Sequence, residues 1–406
     1  MKYSGALNIR DMQVLASRAL PLPIHQFLEG GADDERTLAR NSRAFDDWAL
    51  TSRTLVDVRT IDPSASLLGY RSSLPMMLAP TGISQLFHRT GEGAVARAAK
   101  AEGLLYGLST MATTSIEAVA NTQADRYFQL YLFRDRGLTK ALLERAWASG
   151  YGALCLTTDT PVSGNRERDL RTGMSIPPKF TLRSLASFAA HPRWSLGALG
   201  NRTFRLANII DHVGDIDAGG VNVIDYVNQQ FDRSASWKDV EWLRQQWRGK
   251  LMIKGPMAAA DCALAVDSGA DAIMISNHGG RQLDGTAAPL DYLPAIRDRI
   301  DDKAQLIVDG GIRRGTHVLK ALALGADGCS IGRPYLYGLA ANGEAGVRKV
   351  ISIFRAEIER GMALMGKTRI ADISRADVQQ FEDFARGGRP PAAAQTRRAQ
   401  FSDAVG

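Results

Sequence analysis

Eight short apolar runs, most of them followed by a helical stretch, constrain this 406-residue chain more than any other feature. The runs are Pro75–Ala79, Leu105–Leu108, Tyr127–Leu130, Ala153–Thr157, Leu251–Lys254, Ala272–Ser276, Leu306–Asp309 and Gly328–Ile331. An apolar run of this length between turn signals reads as a strand buried on both faces. Gly91–Glu102, Leu138–Gly150, Ala258–Ser268 and Gly315–Leu324 read as helices between them. EGLLYG, SGYGALCLTTD, SGADAIMISN and LGADGCSIG repeat one grammar: small residue, Gly, turn, buried strand. Alternating strands and helices favour a parallel sheet, and eight such units close a (β/α)8 TIM barrel, so an α/β fold is predicted.

Helices are expected first, between Ile9 and Trp48, with Met12, Leu15, Ala16 and Ala19 at helical spacing before the breaker Pro21-Leu22-Pro23. The chain from Asp159 to Leu251 is far longer than one helix requires, so a long loop is inserted after the fourth strand, at about 172–236. One domain over 1–386 is expected, followed by a flexible tail, 387–406, containing RPPAAAQTRR.

Composition narrows the class. Apolar residues at 45% and charged residues at 23% are globular values. Cys155, Cys262 and Cys329 lie far apart, which disfavours a disulfide framework or zinc ribbon and suits a reducing compartment. The six histidines form no ligand pattern, so no metal is expected. No apolar run approaches the roughly 18 residues that cross a bilayer. Met1 to Arg10 lacks the apolar core of a secretory signal, so a cytoplasmic location, or the membrane face on that side, is expected. The net charge of +7 points to an anionic partner. Without zinc-finger, RNP or basic-zipper patterns, no nucleic acid is expected.

A barrel carries its active site at the C-terminal ends of its strands. Those positions here are polar: Thr81, Ser109, Gln129 with Tyr131, Thr157 with Asp159, Lys254, Ser276 with His278, Asp309, and Gly332 with Arg333. Any one of them can be an ordinary turn residue; all eight together read as a site. The last two units, Asp309-Gly310-Gly311-Ile312-Arg313 and Gly332-Arg333-Pro334, combine glycines, helix N-termini and arginines where barrels commonly bind phosphate. SNHGGRQLD, at 276–284, sets His278 three residues before Arg281, a base beside an anion clamp. Asp159 is placed to pair with the imidazole. Arg166 offers a second guanidinium for a carboxylate, whereas Arg168 reads as solvated. Lys254 ends a buried strand and can offset negative charge on a cofactor; a Schiff-base role is the rival, but leaves the His–Arg–Arg set unexplained.

These motifs resemble the FMN-dependent α-hydroxy acid dehydrogenase/oxidase family, over about Asp11 to Ser374. SNHGGRQLDG, DGGIRRGTHVLKALALGADG, IGRPYLYGLA and FQLY carry the likeness. TTDTPVSGNRERDL, HPRWSL and SWKDVEWLR bring it nearest to membrane-associated (S)-mandelate and L-lactate dehydrogenases. The resemblance implies FMN as cofactor and oxidation of an (S)-2-hydroxy acid, mandelate-like or lactate, to the 2-oxo acid. Electrons would pass to a quinone or other membrane acceptor. A homotetramer is implied. A soluble oxidase using O2, or another FMN barrel enzyme such as an isomerase, is the alternative. His278 would be the base and Asp159 its partner. Arg281 and Arg166 would hold the carboxylate, and Tyr131 the hydroxyl. Pro80, Thr81, Gly82, Ser109, Gln129, Thr157, Lys254 and Ser276 would surround the flavin. Asp309, Gly310, Gly311, Arg313, Gly332 and Arg333 would hold the ribityl and phosphate end. Carbanion and hydride routes both remain open.

One position departs from the family pattern. In HQFLEGG the third residue is commonly a tyrosine that binds the carboxylate; here it is Phe27. Losing one such bond costs roughly 1.5–3 kcal/mol. Gly82 and Ser163 are expected to widen the pocket beside an adaptable Met111, favouring bulky acids. A phenylalanine that simply packs is the equal alternative.

The insertion from Arg171 to Ile210 interleaves Arg171, Lys179, Arg183, Arg193, Arg202 and Arg205 with Phe180, Leu182, Leu185, Phe188, Trp194, Leu196 and Leu199, and has no Asp or Glu. This composition suits an interfacial segment on the inner membrane face. A lid over the active-site mouth, or a subunit contact, is the other reading.

Overall fold

The computed structural model describes residues 3–174, 180–200, 206–209 and 230–382. Its centre is a closed parallel barrel: β1 (Met76–Thr81), β2 (Leu105–Ser109), β3 (Arg126–Tyr131), β4 (Ala153–Thr157), β5 (Lys250–Lys254), β6 (Ala272–Ser276), β7 (Gln305–Asp309) and β8 (Gly328–Ile331), with β8 pairing back onto β1. All eight expected runs are barrel strands, with ends shifted by no more than two residues.

Three helices precede the barrel: α1 (Ile9–Ala19), α2 (Leu22–Glu29) and α3 (Arg36–Arg43). Asn8 caps α1 through the Asp11 N–H, and Pro21 caps α2, so the Pro-Leu-Pro breaker separates two helices. Around the barrel run α4 (Gly91–Glu102), α5 (Ile116–Ala120), α6 (Arg136–Ala148), α7 (Glu167–Thr172), α8 (Leu182–Ala190), α9 (Pro192–Gly200), α10 (Trp237–Gln246), α11 (Ala259–Asp267), α12 (Pro289–Ile300), α13 (Gly315–Ala323) and α14 (Arg333–Leu364). The last is kinked at Asn342-Gly343. The segment 387–406 lies outside the described residues.

The barrel interior holds Met77, Leu105, Tyr127, Cys155, Met252, Met274 and Ile307, closed off by Leu67 and Leu68. Those two leucines come from a hairpin, Ala65–Leu67 with Tyr70–Ser72. The buried lumen is therefore a packed core, and function is left to the opposite rim.

Strand register lines up that rim. Ser109 lies beside Gln129, Tyr131 beside Thr157, Thr157 beside Lys254, and Ser276 beside Asp309. Among the described residues no helix is long and apolar enough to cross a membrane.

Candidate active site

The rim opens into a cavity of about 1010 Å³ that runs from Thr81 and Met111, past Lys254 and His278, to Gly311, Arg313 and Gly332. Phe27, Pro80, Gly82, Ser109, Tyr131, Arg166, Arg281, Asp309, Gly310 and Arg333 also line it. Gln129, Thr157, Asp159 and Ser276 stand behind this wall and fix it. Gln129 accepts from the Ser109 hydroxyl at 2.8 Å and donates to Thr157 Oγ1 at 2.9 Å. Ser276 Oγ donates to Asp309 Oδ2 at 2.7 Å and accepts from the His278 N–H at 3.0 Å.

Lys254 is almost wholly buried, with its Nζ 3.7 Å from Asp159 and 3.9 Å from Asp309. Burial opposes its charge, but the two carboxylates outweigh it and hold the ammonium above its ordinary value. Asp159 is likewise opposed by burial, and Lys254 and His278 keep it below the usual carboxylate range. An ionised carboxylate only accepts, so His278 Nδ1, 3.0 Å from Asp159 Oδ1, is the donor. The lone pair then sits on Nε2. Burial first, then Lys254, pulls His278 below the ordinary imidazole value of 6.5, against the opposing pull of Asp159. A neutral imidazole with a free Nε2 is a base ready to act. His278 has φ of +58°, a left-handed conformation uncommon for a non-glycine residue.

Arg281 is pinned by α2. Its Nη1 donates to the carbonyls of Phe27 at 2.9 Å and Gly30 at 2.8 Å. Arg333 donates to Leu28, Gly279 and Gly30 carbonyls, each at 2.9 Å. The last carbonyls of a helix lack intrahelical partners, and here two arginines fill that need. The Arg333 side chain thus ties α2 to the His278 loop, leaving two of its five N–H donors for an anion. Arg313 is freer, with one bond to its neighbour's carbonyl and the Tyr337 ring at 6.0 Å. Gly311 has φ of +75°, and a Cβ there would lie 1.8 Å from the Asn41 carbonyl, so the turn presses directly on α3.

Phe27 packs on function rather than away from it. Its ring lies 5.1 Å from the Arg281 guanidinium carbon and 5.4 Å from that of Arg166. Tyr131 contacts the Phe231 ring at 5.1 Å, and burial pushes its phenol up to about 12, so it remains a donor.

Two expectations change, at Gly82 and at Arg168. A Cβ on Gly82 would lie 2.8 Å from Met111 Cβ, so Gly82 makes room for Met111 and does not by itself widen the pocket. Ser163 lies at the exposed mouth. Arg168 is not merely solvated: it pairs with Glu35 and reaches Gln26 at 3.3 Å.

The insertion divides. Phe180, Leu185, Phe188 and Trp194 line the cavity mouth, and Trp194 Nε1 donates to the Leu86 carbonyl at 2.9 Å. Leu182 and Leu196 are 86% and 69% exposed, beside exposed Arg183 and Arg193. Lys179, Arg202 and Arg205 fall outside the described residues, and nothing is described of the Leu199 side chain.

Sequence reasoning missed Asp169, which lines the cavity with Oδ2 3.4 Å from Arg166 Nε. Its signal was present as the i, i+3 spacing in Arg166-Glu167-Arg168-Asp169. It also missed Phe231 and the α2 carbonyls, which carry no motif.

The family described as FMN-dependent dehydrogenase matches residues 16–380. L-lactate dehydrogenase of Caulobacter vibrioides is 42% identical over 367 residues, 90% of this chain and 95% of that protein. Glycolate oxidase 1 of Oryza sativa is 41% identical over 384 residues, 94% of this chain and 98% of the relative. Among solved structures, the monotopic membrane protein (S)-mandelate dehydrogenase aligns with a TM-score of 0.88 at 36% identity, covering 93% of this chain and 100% of that one.

Proposed function

The chain belongs to the FMN-dependent dehydrogenase family, and on that premise we propose that it oxidises an (S)-2-hydroxy acid bearing a bulky apolar group, mandelate-like in preference to lactate or glycolate. The carrying observation is the apolar share of the cavity lining: Phe27 packs on both arginines, and Leu86, Phe87, Met174, Phe188 and Trp194 line the same cavity. A methyl or hydrogen on the α-carbon offers such a lining little apolar surface to cover.

The residues fit the cofactor. A long cavity ends in Gly311, Arg313 and Gly332, suited to a phosphate, and passes the buried ammonium of Lys254. Ser330 Oγ, in the cavity wall, has no hydrogen-bond partner among the described residues. Pro80, Thr81, Gly82, Ser109 and Lys254 would hold the ring, with Gln129, Thr157 and Ser276 behind them. Asp309, Gly310, Gly311, Arg313, Gly332 and Arg333 would hold the ribityl and phosphate. When bound, FMN supplies the two-electron acceptor.

The chain's own residues do the rest. Arg281, fixed by α2, and Arg166 bind the substrate carboxylate and so orient the α-carbon. Tyr131 donates to the substrate oxygen. His278 accepts the substrate's proton at Nε2, and Asp159 stabilises the imidazolium formed. Lys254 offsets negative charge that develops beside it. The aromatic mouth excludes water.

The acceptor is read as a quinone at a membrane surface. The exposed Leu182 and Leu196 beside Arg183 and Arg193 support this, as does similarity to a structure described as a monotopic membrane protein. The deciding experiment is anaerobic bleaching of the purified flavoprotein by glycolate, L-lactate, 2-hydroxyoctanoate and both mandelate enantiomers. Fastest bleaching by (S)-mandelate or 2-hydroxyoctanoate is expected; a preference for glycolate overturns the substrate reading. Reoxidation by dioxygen as fast as by a soluble quinone overturns the acceptor reading.

A further inference from the structure

The two arginines of the carboxylate recess are held very differently. Arg281 Nη1 is fixed by the Phe27 and Gly30 carbonyls. Arg166 has the Phe27 ring face and one carboxylate, Asp169, whose Oδ2 lies 3.4 Å from Arg166 Nε. That distance is long for a charge-assisted bond. Asp169 itself is 5% exposed and lines the cavity, and its Oδ1 has no hydrogen-bond partner among the described residues. A buried carboxylate oxygen without a donor is costly. Here burial raises the carboxyl's proton affinity against the opposing charges of Arg166 and Arg281. Arg281 in turn lies half-buried, opposed by the charges of Arg166 and Arg333, so the recess concentrates positive charge that Asp169 partly offsets.

We infer that Asp169 is the internal competitor of the substrate's carboxylate: a positioning residue that holds Arg166 when the recess carries no acid and limits how tightly the 2-oxo acid product is retained. The inference rests on the reading of Arg166 and Arg281 as the carboxylate site. Both anions need the same guanidinium. As an acid docks, Arg166 turns from Asp169 toward it; as the product leaves, Asp169 takes Arg166 back. A site with two arginines and no internal anion would bind acids more tightly and release them more slowly. No bond is made or broken in this exchange.

The test uses the FMN-loaded protein and benzoate, an unreactive carboxylate, followed by perturbation of the flavin absorption and by calorimetry. Asp169→Asn keeps the shape and removes the charge, so the benzoate Kd falls by about tenfold. Asp169→Glu keeps the charge and stays within about twofold of wild type. In an Arg166→Gln background, Asp169→Asn brings no further tightening, because the competition runs through Arg166. Unchanged or weaker benzoate binding by Asp169→Asn overturns the inference, as does equal tightening in the Arg166→Gln background. Should Asp169→Asn not retain FMN, Asp169→Ser makes the same test, and loss of FMN from both assigns Asp169 a purely structural role. Wild-type protein that holds FMN but binds no benzoate overturns the carboxylate-site reading and this inference with it.

Discussion

Replacing Asp159 by Asn removes one charge from the centre of the site while keeping its shape. In the wild type, Asp159 Oδ1 accepts from His278 Nδ1 at 3.0 Å, and Oδ2 lies 3.7 Å from Lys254 Nζ. When His278 takes a proton, the imidazolium forms against that carboxylate. At 3.0 Å and an effective dielectric of about 20, the attraction is about 5 kcal/mol. An amide dipole recovers part of it, so about 3–5 kcal/mol of stabilisation is lost, or about 10²–10⁴-fold in rate. The amide can also donate to Nδ1, which favours the tautomer with its proton on Nε2, the wrong atom for a base. Asp159 does not line the cavity and Asp309 still faces Lys254, so FMN content should hold. The pH profile gives an independent readout. Burial and Lys254 lower the His278 value, and Asp159 raises it. Without Asp159 the lowering influences act unopposed. The acid limb of kcat/KM, which climbs as His278 loses its proton, therefore moves to lower pH in the variant while the plateau falls. Stopped-flow anaerobic flavin reduction across pH measures both. A rate within about threefold of wild type, or an acid limb displaced upward, refutes the coupling.

Other outcomes follow from the same geometry. His278→Gln should keep FMN and lose about 10²–10⁴-fold in flavin reduction; reduction at the wild-type rate removes His278 as the base. Gly311→Ala forces a Cβ to 1.8 Å from the Asn41 carbonyl at φ of +75°, so the Asp309–Arg313 turn must move; the flavin-to-protein ratio of purified protein should drop sharply, and full loading disproves the tight contact as a requirement. Leu182→Asp with Leu196→Asp alters two exposed side chains, with each buried leucine contributing about 1.5–3 kcal/mol to membrane binding. Cosedimentation with anionic vesicles at low salt should fall by more than tenfold while anaerobic bleaching is kept; equal cosedimentation refutes the membrane reading.

The barrel was legible because each of its strands is a short buried run with a helix behind it, and run length and flanking turn residues, rather than period, separate the two. The plug was not. Ala65–Leu67 and Tyr70–Ser72 are three residues each, too short for any period to show, and their two leucines count only because the barrel floor needs filling. Trp48–Leu50 was equally hidden, because its partner Val378–Gln380 lies more than 300 residues away. Within the site, residues at strand ends were readable because register in a closed parallel sheet carries them to one rim. What could not be read is what holds them. The arginines depend on the carbonyls of Phe27, Leu28 and Gly30, which are backbone atoms with no sequence signature beyond the end of a helix.

The insertion shows why composition could not choose between a lid and a membrane segment. Both need apolar residues, so only the face of each helix decides. On α8 the inward stripe is Ser184, Ser187 and Phe188, at i, i+3 and i+4. Ser184 is 1% exposed and donates to the Thr172 carbonyl, and Ser187 accepts from the Leu22 N–H at 2.8 Å. Leu182, at 86% exposure, and Arg183 point the other way. A helix bounded only by water places its serines outside and its leucines inside. Here the polarity is reversed on one turn, because the inner serines answer backbone groups at the end of α7 and the start of α2. The outer leucine therefore has no packing reason to be there, whereas Phe188 and Trp194 have one in the cavity mouth. The same short segment thus closes the site with one face and presents leucine and arginine with the other. That arrangement would bring the site's mouth to any surface the second face meets, with the cavity-lining and the outward residues drawn from one short segment.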